Sequence, residues 1–390
     1  MSTPRKDISP YAVGPLIFTG QLGVFMVPYE IGALMDGRGL SAGASGLLGT
    51  AELAAMSLTS ILIVPATRRI ALHRLTIAGL VLAGLGEIST AAARPLWGIG
   101  FVRTMTGIGC GLVLAATSTS VARSTNPNRV MGLGQMFANL LFLAVFVLTP
   151  RVLLKFGFIG FFISLGIYVA ASASTIPHIS RLQSGDRPSF RAGGRATLGG
   201  IKVGALALGL LSLNVGLGAM WSFAERIGRE IGLDAEQVGS VLAVSSIAMI
   251  AGSATAGCMG DRFGDRWPLL IGSVACGLAC YATTISAGLP GYAAGLFLFN
   301  FCYLMLGPFA LAGVPSALDP SGRLAAAASG IMWLSYSAGV AAGGLIADRA
   351  SVKAIGLFAL CGCVLAAGAF FYAATTMRKG SPASTTSDLT

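Results

Sequence analysis

Residues 237–288 read QVGSVLAVSSIAMIAGSATAGCMGDRFGDRWPLLIGSVACGLACYATTISAG. Two apolar stretches, 237–259 and 268–288, flank a short polar corner that carries Asp261, Arg262, Asp265 and Arg266. Each stretch has the roughly 20 mostly apolar residues that an α-helix needs to cross the hydrocarbon core of a bilayer. The segment therefore predicts two membrane helices joined by a short turn in water.

The same pattern extends to both ends of the chain. Further apolar runs fall at 13–35, 44–66, 75–93, 96–118, 130–152, 157–176, 201–224, 291–314, 324–346 and 354–377. Together they predict an all-α integral membrane protein of twelve helices. Of its 390 residues 54% are hydrophobic and only 11% charged, against about 25% charged in soluble domains. So few charges cannot clothe a soluble fold of this size. The 54 glycines lie among Leu, Ala, Val and Ile with no three-residue period, which excludes collagen and suits membrane helices.

The net charge of +11 does not point to nucleic acid, because the basic residues lie between apolar runs and form no patch with interleaved aromatics. Their alternation gives topology instead. Arg5, Lys6, Arg68, Arg69, Arg74, Arg123, Arg129, Arg181, Arg187, Arg191, Arg195, Lys202, Arg262, Arg266, Arg323, Arg378 and Lys379 share one side; fewer share the other. The richer side is expected in the cytoplasm, with both termini, in an inner or plasma membrane. No small-residue cleavage pattern follows Arg5 and Lys6, so the first helix is expected to persist. The seven cysteines lie in or beside apolar runs without the neighbours of a zinc site. They read as small packing residues.

The longest polar connection, 177–200, divides the chain into two six-helix bundles, 1–176 and 201–378, followed by a tail at 379–390. The halves repeat. Gly39-Leu40 recurs as Gly232-Leu233, and Asn126-Pro127 as Asp319-Pro320, both 193 positions on. Each Asx-Pro is expected to start the helix that follows. Parallel repeats of this kind typify one large class of transporters.

The corner Gly257-Cys258-Met259-Gly260-Asp261-Arg262-Phe263-Gly264-Asp265-Arg266 resembles the signature loop of the major facilitator superfamily. Arg103 followed by Gly107, Gly109 and Gly111 resembles a second motif of that family, one linked to proton coupling. The resemblance implies two pseudo-symmetric bundles and a conformational latch at Asp261, Arg262, Gly264 and Arg266. It also implies a central cavity lined by helices 1, 4, 5, 7, 8, 10 and 11. Two departures stand out. The first-half counterpart of the loop, 64–73, has Arg68 where the Asp belongs, and residues 131–154 lack the Gly-Pro-Gly-Gly pattern of many drug antiporters.

Ionisable groups within membrane helices are costly and face a partner or a cavity. Glu30, Glu52, Glu87 and Arg103 are four such groups, and the second half has no counterpart at Leu296 or Ser245. A carboxylate in a low-dielectric site holds its proton tightly, and a nearby Arg loosens it, so these four are the candidates for proton coupling. A structural salt bridge is the other reading, and Glu30 has a further alternative in the headgroup zone. Gln21, Asn139, Asn214, Asn300, Tyr303, Trp333 and Tyr336 are the candidates for substrate contact.

The function expected is secondary active transport of a small organic solute by a monomer, with protons and lipid as its other partners. Proton symport of an organic anion is the leading form, and proton-antiport efflux of an amphipathic compound the alternative. No cofactor or metal is called for. An intramembrane enzyme is not expected, because the only histidines, His73 and His178, lie in loops and no nucleophile elbow occurs. ATP-driven transport is disfavoured by the absence of a phosphate-binding Gly-Lys-Ser/Thr loop.

Overall fold

A computed structural model describes residues 10–63, 66–67, 70–122, 127–177, 200–259, 263–319 and 323–375. The first half contains α1 (Pro10–Gly20), α2 (Leu22–Arg38), α3 (Ala42–Leu62), α4 (Leu72–Ala92), α5 (Leu96–Ala122) and α6 (Pro127–Ser172). The second contains α7 (Ile201–Ser222), the short α8 (Ala224–Glu230), α9 (Ala235–Met259), α10 (Arg266–Ile285), α11 (Leu289–Pro308), α12 (Val314–Leu318), α13 (Arg323–Arg349) and α14 (Ala354–Ala374). Ten of these helices are individually long and apolar enough to cross a membrane, and α1 with α2 forms an eleventh, broken span. The break is a 47° bend at Gln21, within the single run expected at 13–35.

α6 is one helix in name only. Gly157 takes φ 62 and ψ −159 inside it. Gly134 packs against Val13 and Ile17, while Ser172 bonds to Thr19 at 3.1 Å. A straight helix would hold residues 134 and 172 about 57 Å apart at 1.5 Å per residue, yet both touch the short α1. The chain therefore doubles back at Gly157, a position where a left-handed φ suits only glycine.

The sequence repeat has a structural counterpart. Gly39 and Gly232 both adopt positive φ, 65° and 95°, and each ends a helix. Two residues later, Ser41 accepts from the Ala44 N–H and Asp234 from the Gln237 N–H. A left-handed glycine followed by an N-cap thus turns the chain identically at equivalent places. Asp319 likewise accepts from the Leu324 N–H at 3.0 Å, starting α13 as its Asx-Pro implies. Asn126 lies outside the described residues.

The halves meet along α3 with α13 and α6 with α9. Small residues set the first seam. A Cβ on Gly46 would stand 2.8 Å from the Val340 carbonyl oxygen, and Thr50 donates to the Ser337 carbonyl at 2.9 Å. In lipid, where apolar burial drives little association, close backbone approach of this kind holds helices together.

Candidate functional site

Arg103 is the largest fully buried side chain among the described residues. Its Nη1 donates to Glu87 Oε2 at 2.9 Å, while Nη2 meets Glu30 Oε2 at 2.6 Å and also Glu52 Oε2. Four helices contribute: Glu30 from α2, Glu52 from α3, Glu87 from α4 and Arg103 from α5. Phe162 of α6 closes a further side, its ring centroid 5.4 Å from the guanidinium carbon. All four charged side chains are at most 2% exposed. Glu30 is therefore buried within the protein and not solvated.

The glycines after Arg103 explain the convergence. Gly107 packs on the Glu52 carbonyl, and a Cβ at Gly111 would stand 2.5 Å from the Met56 carbonyl oxygen, so both press α5 onto α3. Gly109 faces the other way, 2.6 Å by the same measure from the Gly79 carbonyl oxygen of α4. α5 is thus wedged between α3 and α4, about one turn from where Arg103 must reach both glutamates.

A second feature lies between the halves. A cavity of ≈ 260 Å³ is lined by Gln21, Phe25, Gln135 and Asn139 on one side, and by Trp221, Asn300, Tyr303, Trp333 and Tyr336 on the other. Six of the seven residues expected to contact substrate are therefore brought together. Gln135 bridges the first wall, its Nε2 donating to Asn139 Oδ1 at 3.1 Å and Gln21 Oε1 at 3.3 Å. Aromatic rings form the second wall, with Trp221 stacked on Phe299 and Phe299 on Tyr303. The π-helical turn Phe309–Gly313 follows α11 and brings Leu311 to the cavity.

Asn214 is the exception. It is buried, but its Nδ2 donates to the Leu210 carbonyl of its own helix at 2.8 Å, and it does not line the cavity. Asn214 lies on a face of α7 turned away from the cavity. Gln135 was missed, although its position one turn before Asn139 on the same face was the available signal. Arg103 is engaged by three carboxylates and does not line the cavity, and among the described residues no charged side chain does.

The two features share α2. Glu30 points into the cluster, while Val24 and Phe25 face the cavity. One residue before Val24, a Cβ at Gly23 would stand 2.6 Å from Glu52 Oε1. A rotation of this one helix necessarily moves both places.

At the end of the bundle where α2 finishes, the halves are tied. Arg226 of α8 pairs with Asp36 at 2.7 Å and donates to the Gly32 carbonyl at 2.7 Å. Nearer the cavity, Trp221 Nε1 donates to the Val24 carbonyl at 2.9 Å. Glu225 is nearly buried beside Gly32, and burial raises its carboxyl above the ordinary value of 4.5, against the pull of Arg226 and Arg229. At the other end, Asp261 and Arg262 of the expected latch lie outside the described residues. Gly264 makes a turn with φ 62°, and the Arg266 guanidinium lies 3.6 Å from the centroid of the Phe371 ring.

Residues 205–389 match the family model of the Major Facilitator Superfamily. No curated protein matches the chain. Among solved structures, the chain is similar to a bacterial homologue of the human lysosomal transporter Spinster in an inward-facing, unoccupied conformation. That likeness has a TM-score of 0.77 and 13% identity, over 98% of this chain and 100% of that one. It is also similar to the xylose transporter XylE from E. coli in an inward-open conformation, with a TM-score of 0.74 and 15% identity over 95% and 96% of the two chains. A D-xylose–proton symporter gives a TM-score of 0.70 and 14% identity, over 93% and 96%. The family match thus covers the second half of the chain, and the likeness to these solved structures, which spans nearly all of it, is one of fold.

Proposed function

We propose that the protein is a proton-coupled symporter of a small uncharged solute, working by alternating access. The observation that carries this reading is the separation of the two features. A proton site that does not line the cavity leaves both sites free to be filled together, as symport requires. Direct displacement of a proton by solute, the simplest route to antiport, needs a shared site. Amide groups on one wall and aromatic rings on the other suit a solute that stacks and accepts hydrogen bonds. The similarity in fold to a D-xylose–proton symporter is compatible with such a solute.

The rest of the architecture follows in the same reading. Counting α1 with α2 as one span and α6 as two gives twelve crossings, six in each of the bundles 1–176 and 201–378, with both termini in the cytoplasm. The tied end is then the outer one. The linker, of which residues 178–199 lie outside the described residues, joins the bundles on the inside of a cell or inner membrane. The protein acts as a monomer, and the loop containing Asp261 and Arg262 latches the inner end when the outer one opens.

Reconstitution in liposomes tests the reading. Uncharged aromatic amides and sugars, organic anions, amino acids and cationic drugs are added in turn while internal pH is recorded. Lumen acidification on addition of an uncharged solute is the expected result. Acidification with anions alone would restore the anion reading, and proton movement opposite to the solute would establish antiport efflux.

A further inference from the structure

The charge balance of the Arg103 cluster goes beyond a single coupling proton. Three carboxylates surround one guanidinium, and arginine does not lose its proton in a protein. Fully ionised, the group would carry two uncompensated negative charges at no more than 2% exposure. Each buried ion costs several kcal/mol when unpaired. Glu30 Oε1, Glu52 Oε1 and Glu87 Oε1 are buried and have no hydrogen-bond partner, so three acceptors stand without a donor.

Two added positive charges would balance the site. Carboxylate oxygens of the three glutamates lie within 4.8 Å of one another, close enough to suggest a metal ion. The guanidinium, however, already holds one oxygen of each carboxylate, and a cation among the remaining oxygens would stand beside it. Protons carry no such penalty, and each converts an orphaned acceptor into a donor. Glu30 and Glu52, which share Nη2, are also within hydrogen-bonding reach of each other. Cys110 of α5 is the other titratable group close to the cluster among the described residues.

We propose that this cluster is a two-proton site: one proton is shared between Glu30 and Glu52, the other resides on Glu87, and both are bound in the conformation whose outer end is tied. The inference rests on the proton-coupled reading and sets its stoichiometry at two. Proton binding forms an O–H bond on a carboxylate and breaks none within the protein; release returns the proton to water.

Infrared spectroscopy of the purified full-length protein, without solute or gradient, tests it by counting protonated carboxyl groups near neutral pH. Two carbonyl signals of buried carboxylic acids are expected. Glu87→Gln should remove one, and either Glu30→Gln or Glu52→Gln should perturb the other. A wild-type spectrum with one such signal or none would overturn the proposal, so no variant need fold for the test to decide. Loss of the signals on adding sodium chloride at constant pH would overturn it in favour of a metal-ion site. Because the count uses no transport, a single signal alongside proton-driven uptake would reject two protons and leave the transport reading intact. Two signals without proton-driven uptake would do the reverse.

Discussion

The carboxylate of Asp348, near the end of α13, accepts a hydrogen bond from the backbone N–H of Gly43 at 2.8 Å and from the Ser41 hydroxyl at 2.9 Å. One half of the protein thereby caps a helix of the other. The first N–H groups of α3 have no partner within their own helix and carry the positive end of its dipole. A cap is worth about 1 kcal/mol, or roughly a fivefold change in an equilibrium. Asp348→Ala is therefore expected to shift the population about fivefold towards separation at this end, while Asp348→Asn, still able to accept, shifts it less. Spin-label distances between Lys155 and Glu230, replaced by cysteine in a background without exposed cysteines, would read the shift. An unchanged distance distribution in Asp348→Ala would show the cap to be incidental.

Glu225 makes the same end sensitive to pH. Burial is the largest cause of its raised carboxyl pKa, with Arg226 and Arg229 lowering it and Asp36 raising it. Tyr29 and Tyr292 are its other titratable neighbours. A carboxyl that binds its proton more tightly in the tied state supports that state fully below its ordinary value of 4.5. The support is lost as pH rises through the raised value. The label distance is expected to lengthen on going from acid to neutral pH in the wild type and to respond less in Glu225→Gln. Identical titrations of the two proteins would remove Glu225 from the account.

Gly23 tests the link between cluster and cavity. A methyl group there would meet Glu52 Oε1 at 2.6 Å and Leu53 Cδ2 at 3.3 Å, and Arg103 leaves Glu52 little room to yield. Overpacking of this sort costs about 1–3 kcal/mol. Gly23→Ala should lower the thermal unfolding midpoint and weaken proton coupling. Gly204→Ala in α7, where no atom lies within 4 Å of the added carbon, should do neither. Equal midpoints for the two variants would mean that the cluster is looser than its geometry.

Gln135 and Asn214 part company in transport. Gln135→Ala removes the bridge to Asn139 and Gln21, and a hydrogen bond of this kind is worth about 0.5–1.5 kcal/mol. Its KM for the solute identified in liposomes is expected to rise between about twofold and tenfold. Asn214→Leu, which touches no part of the cavity, should leave KM unchanged. A raised KM for Asn214→Leu with normal folding would reopen its place in the site.

Arg103→Lys keeps the charge but replaces a planar fork with a point charge. Three carboxyl groups from three helices then compete for one ammonium group, and breaking a buried pair costs about 3–5 kcal/mol. Loss of folded protein is expected, with partial recovery in Arg103→Lys combined with Glu87→Gln. Full stability of the single variant, measured by thermal unfolding in detergent, would contradict the structural weight given to the fork.

Composition and spacing by themselves determined the solvent, the apolar runs and the repeat. These properties depend on local chain chemistry. Scarce charge demands lipid, and a glycine followed by a capping residue turns the backbone alike at Gly39-Leu40-Ser41 and Gly232-Leu233-Asp234. The same reading singled out Glu30, Glu52, Glu87 and Arg103 as ionisable groups within membrane helices. It did not show that all three acids meet the one base, that Arg103 stays out of the cavity, or that Gln135 enters it where Asn214 does not. Each of those turns on the rotation of a helix about its own axis. In water an apolar stripe reveals that rotation; in lipid the outer face is as apolar as the packed one. The facing of these side chains was decided only where small residues such as Gly23, Gly107 and Gly111 let particular backbones touch.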